Sequence, residues 1–421
     1  MTSMHRRSLF RGAAAAAAAA LYGVGPSWSS ETVKPLPSND LFISQPERYW
    51  LQLREEQFYL PGWRVFLNNG SLGVAPRPVL EAVTSYLERS AALMVEEYPR
   101  WGYETLDEYR TEMAAFLGCS KEELAFTHNA TEAMSTVAAG LDLKAGDEVL
   151  ITDQEHPSGR SGWQVRSARH GITVREVKIP LPPKSSAELA DLITSSFGPR
   201  TRVVCFSGIT SPTGLILPVK EICSAARAKG IISVVDGAHM NGQIPIRLSE
   251  IGCDYYVGSP HKWLFAPAGC GLLYIGRENL TKLWPTVVTA HWDQQDIGAA
   301  RFMMMGTNNR SIFEGMMAGL RFAQQIGPDR IYARIHSLAA YTYKRASQCP
   351  HVDLVTPADE SLYGSLVTIR FKKGNPARFW QVCKEKKIWV VEGERVRLSS
   401  HIHTRRSDIE EFFGLVEETL G

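Results

Sequence analysis

Arg202-Val203-Val204-Cys205-Phe206-Ser207 is followed by a Gly/Pro-containing turn and the helical stretch Val219 to Lys229, then by Gly230 and the apolar run Ile231 to Val235, which ends at Asp236. Neither apolar run alternates with polar residues, so each reads as a strand buried on both faces. Two such strands joined through a helix form a parallel pair, and Gly230 supplies the left-handed residue that closes the helix. This unit sets the fold class.

The same rhythm extends in both directions. Downstream lie Asp254-Tyr255-Tyr256-Val257-Gly258 and Gly271-Leu272-Leu273-Tyr274-Ile275. Upstream lie a strand ending at Thr127, a helix from Ala130 to Leu141, a strand Glu148 to Ile151 and a helix Gly159 to His170. Before these come the short strand Val65-Phe66-Leu67 and helices over Pro78 to Leu93 and Glu104 to Leu117. The expected fold class is α/β, with a large domain over 63–305 whose mostly parallel sheet, of the seven-stranded type, is covered by helices on both faces. After Thr307 two long helices (Ser311 to Gln325 and Pro328 to Gln348) precede strands at Ser365 to Phe371, Ile388 to Val391 and Arg395 to Ser399. A last helix runs from Ser407 to Leu420, which makes 306–421 a smaller C-terminal α+β domain. Residues 31–62 form an N-terminal segment with a first helix.

The chain has 421 residues, 44% hydrophobic and 21% charged, with 46 Lys+Arg against 44 Asp+Glu. A near-neutral balance without a basic concentration argues against a nucleic-acid partner. The seven cysteines are scattered and none forms a C-x-x-C pair, so no metal site is expected and they read as small buried hydrophobes.

The first thirty residues are different. Arg6-Arg7 and Arg11 precede an alanine run from Ala13 to Ala20, then a small-residue stretch at Ser27-Trp28-Ser29-Ser30, with no acid. A positive start, a weakly apolar middle and a small polar tail read as an export signal over 1–30. The paired arginines resemble a twin-arginine signal, which implies the twin-arginine export machinery as a partner and the bacterial periplasm as destination. The alternative is a disordered Ala-rich start; a membrane anchor is disfavoured, because the apolar stretch falls short of the ~20 residues a span needs.

Ligands in such sheets sit beyond the carboxyl ends of the strands, where five loops hold chemistry-bearing residues. Gly258-Ser259-Pro260-His261-Lys262-Trp263 places a lysine just past a strand; in a desolvated, positively charged setting it would be partly unprotonated and able to condense with an aldehyde. Taken alone it reads as well as a surface lysine. Asp236 ends a buried strand, where a carboxylate needs a partner such as a protonated ring nitrogen, an arginine or a turn. Thr127-His128-Asn129-Ala130-Thr131 opens a helix, which suits either phosphate or a simple N-cap. His156, in Glu155-His156-Pro157-Ser158, is placed to stack on a flat ring or to be structural. Thr210-Ser211-Pro212-Thr213-Gly214 offers a hydroxyl or a plain turn.

Together with Leu67-Asn68-Asn69-Gly70-Ser71-Leu72-Gly73 and Asp236-Gly237-Ala238-His239, these segments, in this order, resemble class V aminotransferases, which are fold-type I enzymes dependent on pyridoxal 5′-phosphate. The nearest likeness is to the isopenicillin-N-epimerase-like branch, over roughly residues 60 to 415. The resemblance implies a role for each position. Lys262 would bind the cofactor's aldehyde and shuttle the α-proton, Asp236 would face the pyridine nitrogen, and His156 would stack on the ring. His239 and Ser211 would lie near its hydroxyl; Ala130, Thr131, Ser259 and His261 would hold the phosphate. Thr307, in Gly306-Thr307-Asn308, would reach the phosphate of a second subunit, so a homodimer is implied. Arg397 would clamp the substrate carboxylate, with Arg395 as fallback, and Asn69 would contact the substrate, a small amino acid. Ser211 stands where the family usually has Asn. The reactive cysteine loop of the family's cysteine desulfurases has no room here, since only Glu394, Arg395 and Val396 separate Gly393 from Arg397.

The resulting expectation is an epimerase-like or aminotransferase-like enzyme acting at the α-carbon of an amino acid or its derivative. The alternatives are a C–S or other β-lyase, kynureninase-like cleavage included, and a cofactor-binding protein without turnover.

Overall fold

The computed structural model describes residues 33–93, 104–372 and 376–420. The chain divides into Met1–Leu36, of which residues 33–36 are described and form no regular element, and Pro37–Gly421. The expected export signal lies outside the described residues. Among those residues, no helix is long and apolar enough to cross a membrane.

A short strand β1 (Val65–Phe66) precedes the central sheet. The sheet comprises β2 (Leu124–Thr127), β3 (Glu148–Thr152), β4 (Thr173–Val177), β5 (Thr201–Ser207), β6 (Ile232–Asp236), β7 (Tyr255–Gly258) and β8 (Gly271–Ile275), in the order β2-β8-β7-β6-β5-β3-β4. The strands from β4 across to β7 are parallel, as the helical crossovers require, and β8 runs antiparallel to both β7 and β2. In the register Ser207 faces Asp236, and Asp236 faces Val257, so the carboxyl ends of β5, β6 and β7 come level along one edge. Strand β4 has no expectation in the sequence because it is the sheet's edge: its first four residues are half-buried or exposed, and it lacks an apolar run.

Two helix starts lie at that edge. Asn129 accepts from the backbone N–H of Glu132 and caps Ala130–Gly140. His156 caps Pro157–His170, accepting through Nδ1 from Ser158 N, and Pro157 occupies the first helical position, where no N–H is needed. Gly171 ends that helix at φ 69°.

The C-terminal layer is built from β9 (Val352–Leu354), β10 (Leu366–Phe371), β11 (Ile388–Trp389) and β12 (Arg395–Ser399). Strands β12, β10 and β9 form an antiparallel sheet in that order, and β11 pairs in parallel with β1. Val65 and Leu67 join Phe379, Val396, Leu398 and Phe412 in one apolar core. The sequence expectation put β1 inside the 63–305 domain; its partners show that it is a strand of the C-terminal layer. Conversely, the helix Ser311–Ile326, expected with the C-terminal part, packs on Arg77–Ala92. Gly315 permits the approach, since a Cβ there would lie 2.6 Å from Val83; Gly319 lets the same helix pass close to the Leu264 carbonyl, which a Cβ would meet at 2.7 Å.

Candidate active site

A cavity of about 280 Å³ lies beyond the carboxyl edge of the sheet, and β2, β3, β5, β6 and β7 supply it through their ends and the loops that follow. Asn129, Ala130 and Thr131 come after β2; His156 and Ser158 after β3; Ser211 after β5, with Ser207 at its end. Asp236 and His239 come from the end of β6, and Ser259, His261 and Lys262 from the turn after β7. Gly70, Ser71 and Arg397 enter from the C-terminal layer.

Lys262 sits on the single helical turn Pro260–Trp263. Its carbonyl accepts from Asn69 Nδ2 at 2.6 Å, and Gly73 N donates to the adjacent His261 carbonyl at 2.9 Å. Only glycine fits at 73, where a Cβ would stand 2.3 Å from the Lys262 carbonyl oxygen. The amine Nζ lies 3.1 Å from His239 Nε2. Burial pushes its pKa down to about 8; the Arg397 charge acts in the same direction and Asp236 opposes both. About a tenth of the lysine is therefore neutral at pH 7, far more than for an exposed lysine, as a nucleophilic or basic amine requires.

Asp236 accepts from the Ala238 N–H at 2.9 Å and is 8% exposed. Below it Glu155 accepts from the hydroxyls of Thr152 and Ser207, each at 2.6 Å. Burial pushes the Glu155 carboxyl up to about 7, and the nearby Asp236 charge adds to the rise. His156 is kept neutral by burial and by the Lys262 charge, which outweigh Asp236. His261 faces the Cys270 carbonyl through Nδ1 at 3.2 Å.

Arg397, on β12, donates from Nη1 to the Ser211 carbonyl (2.7 Å) and hydroxyl (3.2 Å), and from Nη2 to Asn68 Oδ1 (3.3 Å) and Ser71 Oγ (3.0 Å). All four acceptors are uncharged, Nε has no partner, and burial pushes the guanidinium down to about 10. A buried cation without a counter-anion, bordering a cavity, has the chemistry to take a carboxylate.

Two expected residues lie elsewhere. Asn69 is 1% exposed and does not line the cavity. Its amide donates to the Lys262 carbonyl, and its Oδ1 lies 3.3 Å from His403 Nε2, so it braces the lysine turn. Thr307 is exposed and also lies outside this cavity; its expected partner is a second copy of the chain. Unforeseen contributors are Gly70, Ser71, Ser158 and Ser207 on the wall, Asn68 on Arg397, and His401, which contacts the Trp263 carbonyl at 3.1 Å. Small hydroxylic residues carry no periodic signal; only their place after strands or in the Asn68–Gly73 turn marks them.

The residues fit pyridoxal 5′-phosphate. The first N–H groups of Ala130–Gly140 have no acceptor within their helix and suit a phosphate, with Ser259 and His261 beside them. A Cβ on Gly271 would meet Asn129 backbone at 2.6 Å, so that glycine keeps the helix start in place. Asp236 supplies a carboxylate for a ring nitrogen, His156 a flat neutral ring, and Lys262 a partly neutral amine.

Comparison with known proteins agrees. The family model "Aminotransferase class-V" matches residues 65–412. An isopenicillin N epimerase of Streptomyces clavuligerus is 32% identical over 378 residues, covering 85% of this chain and 95% of the epimerase. A probable cysteine desulfurase of Pyrococcus abyssi is 24% identical, covering 85% of this chain and 94% of its own. Among solved structures, the cystine C–S lyase C-DES in complex with its reaction product cysteine persulfide superposes with a TM-score of 0.76 at 25% identity, over 85% of this chain and 98% of that one. With its lysine, carboxylate and arginine gathered in one cavity, the chain belongs to the class V aminotransferase family of pyridoxal 5′-phosphate enzymes.

Proposed function

We propose that this enzyme acts at the α-carbon of an amino acid or amino-acid derivative, in the manner of an epimerase or an aminotransferase. The observation that carries the reading is Arg397: a buried guanidinium with only neutral partners, in the same cavity as Lys262. A substrate carboxylate on Arg397 would orient the α-carbon, and the neutral Lys262 amine would take the α-proton and return it. When bound, pyridoxal 5′-phosphate would supply the electron sink for that deprotonation, and Asp236 would be the carboxylate available to its ring nitrogen. His156 covers one side of the cavity and carries no charge to compete with that pairing.

A second reading is β-elimination at a C–S bond, supported by the likeness to a cystine C–S lyase. Desulfuration through an enzyme thiol is not proposed. None of the seven cysteines lines the cavity, and Cys383, expected as a structural residue, is 3% exposed in the C-terminal core with its thiol pushed up to about 12 by burial.

The test is to follow the visible band of the lysine-bound cofactor, and the products, across a panel of L- and D-amino acids. An oxo acid with loss of the band marks amino transfer, and loss of chirality with the band kept marks epimerisation. Release of a three-carbon oxo acid and ammonia, with sulfide from cysteine or with cysteine persulfide from cystine, would move the assignment to the second reading. A protein that binds the cofactor at Lys262 yet alters no amino acid would sink both readings and leave a binding protein without turnover. Lys262→Ala should lack the band altogether.

A further inference from the structure

Lys262 Nζ has a neutral ring for a neighbour, His239 Nε2 at 3.1 Å. Whether that ring favours the charged or the neutral lysine depends on where the imidazole keeps its one hydrogen. The residue after the lysine decides this. Trp263 Nε1 donates to His239 Nδ1 at 3.3 Å. An indole N–H can only donate, so Nδ1 must be the accepting nitrogen.

We propose that Trp263 locks His239 in the tautomer carrying its hydrogen on Nε2, so that His239 donates to Lys262 Nζ and favours the neutral amine over the ammonium. The proposal rests on the reading of Lys262 as the reacting amine, and it assigns Trp263 a positioning role that its apolar bulk alone would not suggest.

The chemistry follows from the donor inventory. Burial holds His239 well below its ordinary range, and the positive charges of Lys262 and Arg397 press the same way, so the ring is neutral. With Nδ1 occupied as acceptor, the single hydrogen sits on Nε2. An ammonium has three hydrogens and no lone pair, whereas a neutral amine accepts. The contact at 3.1 Å is therefore a hydrogen bond only for neutral Lys262. Of the other groups that act on the lysine, Arg397 also favours the neutral form and Asp236 favours the charged one. The tautomer lock thus works against the pull of Asp236, the carboxylate that the cavity cannot do without.

Trp263 cannot swing away. Its side chain is fully buried, and its ring stacks on His401 with centroids 5.8 Å apart and planes at 22°. Its carbonyl faces His401 Nε2 at 3.1 Å, and Ile402 N donates to His401 Nδ1 at 2.8 Å, which fixes the second imidazole as an Nε2 donor in turn. Gly242, at φ 84°, lets its backbone pass so close that a Cβ there would be 2.4 Å from the Trp263 carbonyl oxygen. The indole is held by the His401 stack and its backbone by the contacts to its carbonyl, with its N–H aimed at one acceptor.

The experiment uses the full-length protein stripped of cofactor. Lys262 is acetylated with limiting acetic anhydride across pH 6 to 11, and the extent of modification is read by mass spectrometry of the peptide that carries it. In Trp263→Phe the ring hydrogen is free to move to Nδ1 and let Nε2 accept from the ammonium. The midpoint should rise by about one pH unit, a roughly tenfold loss of reactivity at pH 7. In a His239→Leu background, Trp263→Phe should cause no further shift. An unchanged midpoint in Trp263→Phe, or a shift that persists without His239, would overturn the proposal. Should Trp263→Phe fail to fold by circular dichroism, nitrogen NMR of wild-type protein labelled at histidine decides: a protonated Nε2 and bare Nδ1 on His239 are expected, and the opposite tautomer refutes the lock. Neither readout needs bound cofactor. The reading of Lys262 as the reacting amine fails separately, if Lys262→Ala keeps the visible band.

Discussion

Arg397 and Arg395 lie two apart on the same strand, and the chain sequence offers both as carboxylate clamps. Burial separates them: Arg397 is 7% exposed and lines the cavity, while Arg395 is half-buried and does not. A guanidinium presents two parallel donors to a carboxylate, and an ammonium presents a point charge. Arg397→Lys should therefore raise KM for an amino-acid substrate by roughly ten- to a hundredfold, the loss of ~1.5–3 kcal/mol expected for a charge-assisted hydrogen bond. The matching amine without a carboxylate should bind both proteins equally. Equal KM values for the amino acid would place the clamp elsewhere. Lys262 and Asp236 were legible as types that are costly to bury at strand ends, while Arg397 and the small hydroxylic and histidine wall residues were marked by the family resemblance and line the same cavity. The sequence could not show that the Asn69 amide goes to the Lys262 carbonyl, because that contact spans 193 positions and only the fold brings it together.

Strand ends explain why so much of the site was visible at the level of elements. Each of β2, β3, β5, β6 and β7 carries an apolar run, and the chemistry follows directly after it, so finding the run also finds the loop. Strand β4, exposed along the edge and without an apolar run, was not legible; β1 was legible as a strand, but its partners, more than 300 positions away, were not. The turn after β1 is nonetheless what seats the lysine. A Cβ at Gly73 would meet two backbone oxygens, of Lys262 at 2.3 Å and of His261 at 2.7 Å, and neither belongs to a side chain that can swivel away. Gly73→Ala should displace the lysine turn, lower unfolding stability by about 1–3 kcal/mol and weaken the visible band on titration with pyridoxal 5′-phosphate. Gly62→Ala is the control: nothing lies within 4 Å of its Cβ position, and urea unfolding should be unchanged. A wild-type response in Gly73→Ala would mean that the turn yields without cost.

At the scale of the whole molecule, lysine and arginine come from different layers. Lys262 rides on the central sheet; Arg397 rides on β12, whose far face packs into the C-terminal core with Val65 and Leu67. The stitching is specific: Ser399 N donates to the Leu67 carbonyl at 2.8 Å, Gly70 N donates to Ser399 Oγ at 2.9 Å, and Asn68 and Ser71 then hold the Arg397 guanidinium. The aromatic centre of that core is Phe412, fully buried, edge-on to Phe379 at 5.5 Å and to Phe413 at 5.2 Å. Phe412→Ala removes a ring from a filled core and should cost about 3–5 kcal/mol in a urea titration. Its functional effect should be selective. β12 loses support, so KM for the amino acid rises, while the visible band of the lysine-bound cofactor, formed on the other layer, persists in folded protein. Measuring both on the same preparation separates the layers. Loss of the band in step with affinity would show that the Asn69 link to the Lys262 carbonyl binds the two halves into one mechanical unit, with the lysine turn as dependent on the C-terminal core as the arginine is.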